Sequence, residues 1–446
     1  MDSKAATRPT RPFEISHATV FGIAAPMTLA YLTTPLLGLV DTAVAGRLGD
    51  PALLGGLAIG AVIVDLVFTT FNFQRSGTTG LAAQAAGAGN EREKQAILLR
   101  ALLLAAILGA GSIIASPLVL WISLTLMAPE ADIAGATRTY LLIRMLGAPF
   151  ALANYAVLGW LVGLGRPTLA LGLQVLINGI NMALSILLGL WLGWGIAGIA
   201  TATVIAEIIA VIAAVPLCLR LMDRTIRLSR AELFDAAALR RLVSLNGDIM
   251  LRSFVLLFAF AFFTAQGTRL GAITLAANAV LMHFFLVGGF FLDGLATAAE
   301  QLVGRTIGGN YREGFVRTLR LTTVWNLAMA GALSLFFLVA GEALVNLVTT
   351  IPQVREEARL YLWLAALTPL TGVIAFQMDG VYIGATWSRD MSRMMLLSFA
   401  VYIVAWAILT PMFGNTGLWL SLHVFLLCRG ATLSALIPSK MRQAFG

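Results

Sequence analysis

The sequence predicts an all-α integral membrane protein, in which twelve transmembrane helices form two pseudo-symmetric lobes of six. Three observations predict this fold class: an apolar composition, the number of long apolar segments, and an internal repeat. Of 446 residues, 59% are hydrophobic and 12% are charged, and the mean hydropathy is +0.88. Because a soluble domain carries roughly a quarter charged residues, the composition indicates a chain whose surface faces lipid.

The chain contains twelve apolar segments that are long enough to cross a bilayer, whose core of about 30 Å needs roughly 20 helical residues. The first six lie at about 17–46, 52–85, 95–124, 134–163, 167–191 and 194–219. The second six lie at about 240–267, 272–304, 317–348, 356–386, 391–411 and 416–437.

Lys and Arg are concentrated in alternate loops, and this bias indicates how the helices are oriented. With a cytoplasmic N-terminus, the outer side receives only Arg47, Arg138, Arg269, Arg355 and Arg359. Most of the others fall on the inner side, including Lys4, Arg8 and Arg11. We therefore expect a multi-pass protein of the inner (plasma) membrane with both termini cytoplasmic. The net charge of +8 arises from these loops, so we expect membrane lipids, and no nucleic acid, as partners.

The two halves match when they are shifted by about 220 residues. Three features recur in order: Arg47-Leu48-Gly49 as Arg269-Leu270-Gly271, the polar turn from Gly87 as that from Gly308, and Tyr140 and Pro149 as Tyr361 and Pro369. Six helices per half give parallel repeats about an axis along the membrane normal, a build found in transporters. We predict a tail at 1–16, an N-lobe at 17–219, a basic linker at 220–240, a C-lobe at 241–437 and a tail at 438–446.

Polar side chains within the N-lobe spans predict an ion-coupling site. Asp41 falls in the outer half of the first helix, and hydroxyl and amide groups follow on one face of the fifth helix and on the sixth. A buried carboxylate can carry a proton, and hard oxygen ligands can bind Na⁺. The alternative is a set of independent interhelical hydrogen bonds. The residues concerned are Asp41, Asn178, Asn181, Ser185, Thr203 and Glu207. Asp41 has no acidic twin near Phe263, which favours a specialised role.

Other charged and aromatic residues within the spans are candidates for a substrate cavity or gate. Arg75 and Asp293 occupy related places in the two halves and can pair as an inner gate; the alternative is that each is satisfied within its own half. Asp248 and Arg252, four residues apart near a helix start, are predicted to pair. The remaining candidates are Asp65, Glu300, Asp379, Phe284 and Phe291.

The sequence lacks the motifs of several other classes of protein. The chain has no Gly-x-x-x-x-Gly-Lys-Ser/Thr loop for nucleotide phosphates, and its three histidines have no metal-ligand spacing. No cluster of catalytic residues lies at either membrane face, so we do not expect an enzyme. We expect no cofactor beyond a coupling ion, H⁺ or Na⁺.

Four stretches resemble a known transporter family. Residues 40–49, Val-Asp-Thr-Ala-Val-Ala-Gly-Arg-Leu-Gly, resemble the first-helix signature of the MATE (multidrug and toxic compound extrusion) family, and 195–203 and 300–305 are similar to other family motifs. Residues 379–386, Asp-Gly-Val-Tyr-Ile-Gly-Ala-Thr, resemble the DinF-like branch. The likeness covers nearly the whole chain. It implies a MATE/MOP-type fold with a central cavity and exchange of H⁺ or Na⁺ for organic, often cationic and amphipathic compounds.

The resemblance also implies roles for individual residues. In DinF-like members the first-helix Asp accepts the proton, and Asp41 matches it. The fifth-helix pattern Asn-x-x-x-Asp falls on Asn181 and Ser185, so the second acid is absent, which favours H⁺ over Na⁺. The sixth-helix Thr of that cluster falls on Thr203.

We therefore expect a monomeric secondary antiporter that exports small organic compounds by alternating access, with H⁺ as the favoured coupling ion. Two alternatives are Na⁺-coupled export of another metabolite and a flippase for a lipid-linked precursor. The flippase would need cationic side chains for a pyrophosphate, whereas the intramembrane charges here are mostly acidic.

Overall fold

The computed structural model describes residues 13–446, and this part of the chain is helical, without β-strands. Lys4, Arg8 and Arg11 of the predicted tail lie outside the described residues. The helices of the first half are α1 His17–Arg47, α2 Pro51–Thr70, α3 Phe73–Gly87, α4 Glu91–Met127, α5 Ala131–Leu146, α6 Ala148–Gly163, α7 Pro167–Leu184 and α8 Gly195–Leu221. Those that follow are α9 Arg230–Leu233, α10 Ala236–Arg269, α11 Ala272–Gly308, α12 Arg312–Val348, α13 Pro352–Gly384, α14 Ser388–Phe413 and α15 Asn415–Phe445.

The twelve predicted spans are confirmed. Eleven stretches of helix in the described chain are long and apolar enough to cross a membrane, and the bent pair α5 and α6 supplies a twelfth. The axes of α5 and α6 differ by 50°. The break lies at Gly147, and Pro149 stands in the first turn of α6, where its missing N–H leaves no helical hydrogen bond unmade.

Polar residues in the loops fix where the helices start. The Asp50 side chain accepts a hydrogen bond from the backbone N–H of Ala52 at the start of α2, and Pro51 is the first helical residue. Asn90 caps α4 in the same way, because its side chain accepts from the N–H of Glu93. Each cap satisfies a backbone N–H group in the first turn, so the next helix begins directly after a short loop.

The chain divides into two compact units. One consists of Leu29–Ala82 and Asn90–Asn246, and its core includes Leu141, Met145 and Ile199. The other consists of the described part of Met1–Thr28 together with Ala83–Gly89 and Gly247–Gly446, and its core is rich in aromatic rings. We call these the N-unit and the C-unit.

The polar turns that mark the sequence repeat pack against each other within the C-unit. A Cβ atom at Gly308 would lie 1.9 Å from the carbonyl oxygen of Gln84, and a Cβ at Gly87 would lie 2.0 Å from the carbonyl oxygen of Arg305. The two contacts are reciprocal, since each repeat supplies one glycine and one carbonyl. Glycine is required at both positions because any side chain would displace backbone atoms.

Candidate functional site

The Asp41 carboxyl group lies inside the N-unit and is hydrogen-bonded to the Ser185 hydroxyl. The Ser185 hydroxyl oxygen is 2.8 Å from Oδ1 of Asp41, and both residues are buried. No described Lys or Arg forms an ion pair with Asp41. The carboxyl group is therefore held by a neutral partner, which makes protonation a direct way to neutralise it in the membrane.

Ser185 owes its position to an irregular turn in the fifth span. The regular helix α7 ends at Leu184 and continues as the π-helical segment Ser185–Trp191. Such π-helical turns are rare and occur frequently at functional sites. Gly198 of α8 permits close packing here, since a Cβ at this position would lie 2.6 Å from the carbonyl carbon of Leu188.

The hydrogen bonds continue from Ser185 to the sixth span. The Ser185 hydroxyl oxygen is 3.1 Å from Oδ1 of Asn181, and Nδ2 of Asn181 donates to the Thr203 hydroxyl over 2.7 Å. The Thr203 hydroxyl donates to the backbone carbonyl of Ile199 over 3.3 Å. We call Asp41, Ser185, Asn181 and Thr203 the Asp41 chain. It joins α1, the fifth span and α8, and all four of its side chains are buried.

Asn178 lies one helical turn before Asn181 and belongs to a neighbouring contact. Its Nδ2 donates to the Thr33 hydroxyl over 2.7 Å, and its Oδ1 accepts from Gln174 over 3.2 Å. The structure thus brings four of the six predicted ion-coupling residues into one chain and places the fifth beside it on α7.

Glu207, the sixth, is held elsewhere, by a buried ion pair. Its Oε1 lies 3.1 Å from Nη1 of Arg144, and Asn154 donates to its backbone carbonyl over 3.0 Å. The Arg144 guanidinium also faces the Phe68 ring, 5.3 Å from its centroid. A Cβ at Gly147 would lie 2.7 Å from Oε2 of Glu207, so the break between α5 and α6 makes room for this carboxylate.

The C-unit contains a second buried cluster, centred on Asp379. Arg252 of α10 and Arg429 of α15 both donate to Oδ2 of this residue. The predicted pair of Asp248 and Arg252 is wrong, because Asp248 instead accepts from the Ser388 hydroxyl over 2.8 Å. Their four-residue spacing is the usual one for a helical ion pair, but the buried Asp379 on another helix competes successfully for Arg252.

The predicted gate residues lie in different units. In the N-unit, Nε of Arg75 donates to Oδ1 of Asn72 over 3.2 Å, and its guanidinium lies 5.6 Å from the centroid of the Tyr31 ring. In the C-unit, Asp293 lies on α11 within electrostatic range of Arg429. Their pairing stays a prediction.

The other cavity candidates are spread over both units. Asp65 is exposed on α2, and Glu300 is buried on α11. Phe284 packs edge-on against Phe337 in the aromatic core, with 5.1 Å between centroids, and Phe291 is half-buried against the same core.

Glycines explain much of the motif at 379–386. A Cβ at Gly380 would lie 2.1 Å from the carbonyl oxygen of Ala296, and one at Gly384 would lie 2.1 Å from that of Glu300. These glycines, four residues apart, line the face of α13 that packs on α11. The sequence does not predict Arg144 and Arg429 as the partners of Glu207 and Asp379, since residues 63 and 50 positions apart leave no local pattern.

Comparison with known proteins finds likeness along nearly the whole chain. The MatE family profile matches residues 26–187 and 249–408. DNA damage-inducible protein F of Escherichia coli is 37% identical over 433 residues, which cover 94% of this chain and 92% of that protein. A probable multidrug resistance protein NorM of Chromobacterium violaceum is 24% identical, with 95% of this chain and 94% of that protein covered. The crystal structure of the Vibrio cholerae MATE transporter VcmN in the bent form has a TM-score of 0.87 at 19% identity, with coverage of 96% and 97%.

Proposed function

The chain belongs to the MatE family of membrane transporters, and we propose that it is an H⁺-coupled antiporter that exports amphipathic, often cationic organic compounds. The observation that carries this proposal is the Asp41 chain. Its hydrogen bonds can be satisfied in two ways that differ by one proton on Asp41.

The first arrangement has a protonated Asp41 and keeps the Asn181 amide in the orientation described above. Ser185 has a single hydroxyl proton and cannot donate to both Asp41 and Asn181. If the Asp41 carboxyl donates to Ser185, Ser185 is free to donate to Oδ1 of Asn181. Nδ2 of Asn181 then donates to Thr203, whose hydroxyl donates to the carbonyl of Ile199. Every contact holds one proton, and all donors point away from Asp41.

The second arrangement has an ionised Asp41 and reverses the chain. Ser185 then donates to the carboxylate, and its contact with Oδ1 of Asn181 holds no proton. The amide must turn over, so that Nδ2 donates to Ser185 and Oδ1 accepts from Thr203. Thr203 thereby gives up its hydrogen bond to the carbonyl of Ile199. Loss or gain of one proton on Asp41 of α1 therefore changes a hydrogen bond in α8.

The chemistry of the site favours H⁺ as the coupling ion. An ionised carboxylate within a span costs a few kcal/mol, and a proton removes that charge completely. Ser185 adds no negative charge for a metal cation, and its hydroxyl can either donate or accept as the proton comes and goes. We infer that a proton from outside neutralises Asp41, that the N-unit repacks, and that the exported compound is then released outward.

The relatives and the acidic residues within the spans support organic cations as the exported compounds. The NorM relative is described as a probable multidrug resistance protein. Among the candidates, Asp65 is an exposed acid within a span, a suitable partner for an organic cation in a low-dielectric setting. The concentration of Lys and Arg in alternate loops supports an inner-membrane protein with both termini cytoplasmic.

Dye efflux from proteoliposomes tests the proposal. The purified chain is reconstituted, and a pH gradient and a Na⁺ gradient are imposed separately on vesicles loaded with a cationic dye. We expect the pH gradient alone to drive efflux and the Na⁺ gradient alone to be without effect. Efflux driven by Na⁺ at equal pH on both sides would reject H⁺ coupling.

A further inference from the structure

A groove with apolar and basic walls lies at the start of α12, where the beginning of α1 packs beside it in the C-unit. Its volume is about 750 Å³. It is lined by His17, Arg312, Glu313, Val316, Arg317, Arg320, Leu321 and Val324. The Asp41 chain and the Asp379 cluster contribute no residue to it.

The basic side chains of this groove have no acidic partner among residues 13–446. The side chains of Arg312, Arg317 and Arg320 are exposed and form no ion pair or hydrogen bond within that range. One acid, Glu313, lines the groove beside the three arginines. The wall therefore carries an excess of positive charge, with guanidinium groups available for an external anion.

A histidine is fixed at the same place. Nε1 of Trp325 donates to Nδ1 of His17 over 2.9 Å, and the Trp325 ring also packs on Phe21 with 4.5 Å between centroids. Because Nδ1 accepts this bond, the neutral ring carries its proton on Nε2, which can donate to a ligand.

The length of α12 places these groups at the membrane surface. The helix has 37 residues, whereas about 20 suffice to cross the hydrocarbon core. An uncharged, mostly apolar run starts at Leu321, directly after Arg320, so we expect the arginines at the level of the lipid headgroups. Val316, Leu321 and Val324 continue the groove along the helix toward the core, where acyl chains lie.

We propose that this groove binds an anionic phospholipid, whose phosphate contacts Arg317 and Arg320 and whose acyl chains lie on the apolar wall. Guanidinium groups bind phosphate oxygens with charge-assisted hydrogen bonds, and basic pockets at helix ends recognise anionic headgroups. A bound lipid bridges α12 and the start of α1, the helix that carries Asp41. The site is independent of the coupling ion and of the exported compound.

Native mass spectrometry of the purified full chain tests this site, with phosphatidylglycerol and phosphatidylcholine titrated separately in mild detergent. We expect wild type to retain phosphatidylglycerol in preference to phosphatidylcholine. The double variant Arg317→Gln/Arg320→Gln should bind phosphatidylglycerol on the order of thirtyfold more weakly, since each arginine near an anionic lipid surface contributes roughly fivefold. Thermal melting in neutral detergent shows whether the variant is folded.

The matched control is Arg220→Gln/Arg224→Gln, which removes two exposed arginines at and just after the end of α8 whose side chains also have no described partner. We expect this control to keep wild-type affinity. Equal loss in both double variants would mean unspecific surface attraction, and equal retention of the two lipids would mean no headgroup recognition. Displacement of the lipid by millimolar inorganic phosphate would assign the site to free phosphate. Each of these results would overturn the proposal.

Discussion

The hydroxyl of Ser185 lies 2.8 Å from the carboxylate of Asp41, although the two residues are 144 positions apart in the chain. Ser185 stands where the fifth-helix pattern Asn-x-x-x-Asp, which the family resemblance aligns on Asn181, would place a second acid. The site consequently holds one carboxyl group and a hydroxyl that can reverse its hydrogen bond, and this combination suits transfer of a single proton.

Replacing Ser185 with Ala should break the Asp41 chain at its contact with Asp41 and weaken proton-coupled transport. The change removes the only described hydrogen bond to the Asp41 side chain, and a hydrogen bond to a charged group contributes about 1.5–3 kcal/mol. We expect pH-driven dye efflux to fall by roughly tenfold or more by this measure, with Asp41 still in place. Ser185→Thr keeps the hydroxyl and should retain most of the activity. Ser112→Ala removes a hydroxyl that bonds only its own helix; if it is as harmful as Ser185→Ala, the effect is unrelated to the chain.

Replacing Glu207 with Gln should destabilise the N-unit. The buried guanidinium of Arg144 would lose its carboxylate, and breaking one side of a buried pair costs about 3–5 kcal/mol. We expect a clear fall in the unfolding midpoint in detergent, and partial recovery in the double variant Glu207→Gln/Arg144→Gln. Glu342→Gln breaks an exposed pair with Arg359 at 3.8 Å and should change the midpoint little. A wild-type midpoint for Glu207→Gln would show that the buried pair does not stabilise the fold.

Replacing Gly308 with Ala should disturb the packing of the repeat-related turns. The new Cβ would meet the carbonyl oxygen of Gln84 at 1.9 Å, and backbone cannot move aside as a flexible side chain can. We expect less folded protein and a lower melting temperature. Gly331→Ala serves as the control, because a Cβ there meets nothing within 4 Å and alanine is the better helix former by about 1 kcal/mol. Equal behaviour of the two variants would contradict the close approach.

Most of the architecture could be predicted from the sequence, because bilayer thickness fixes the length of an apolar segment. The spans, the repeat and the grouping of Asp41, Asn181, Ser185 and Thr203 follow from hydropathy and from helical spacing. The partners of Glu207, Asp379 and Arg252 did not follow from it. Those contacts join separate helices, and they depend on how deeply each residue lies and on how the helices are rotated. The break at Gly147 was equally hidden, since Pro369 at the matching position lies within the unbroken helix α13.

Proton release upon dye binding measures whether Asp41 carries the coupled proton. The purified chain is mixed with a cationic dye in weakly buffered detergent, and the pH change is recorded for wild type, Asp41→Asn and the exposed control Asp132→Asn. Since linkage requires a ligand that displaces a proton to release it, we predict about one proton per bound dye in wild type and in Asp132→Asn, and none in Asp41→Asn. Undiminished proton release by Asp41→Asn, with the dye still bound, would show that a group other than Asp41 carries the proton.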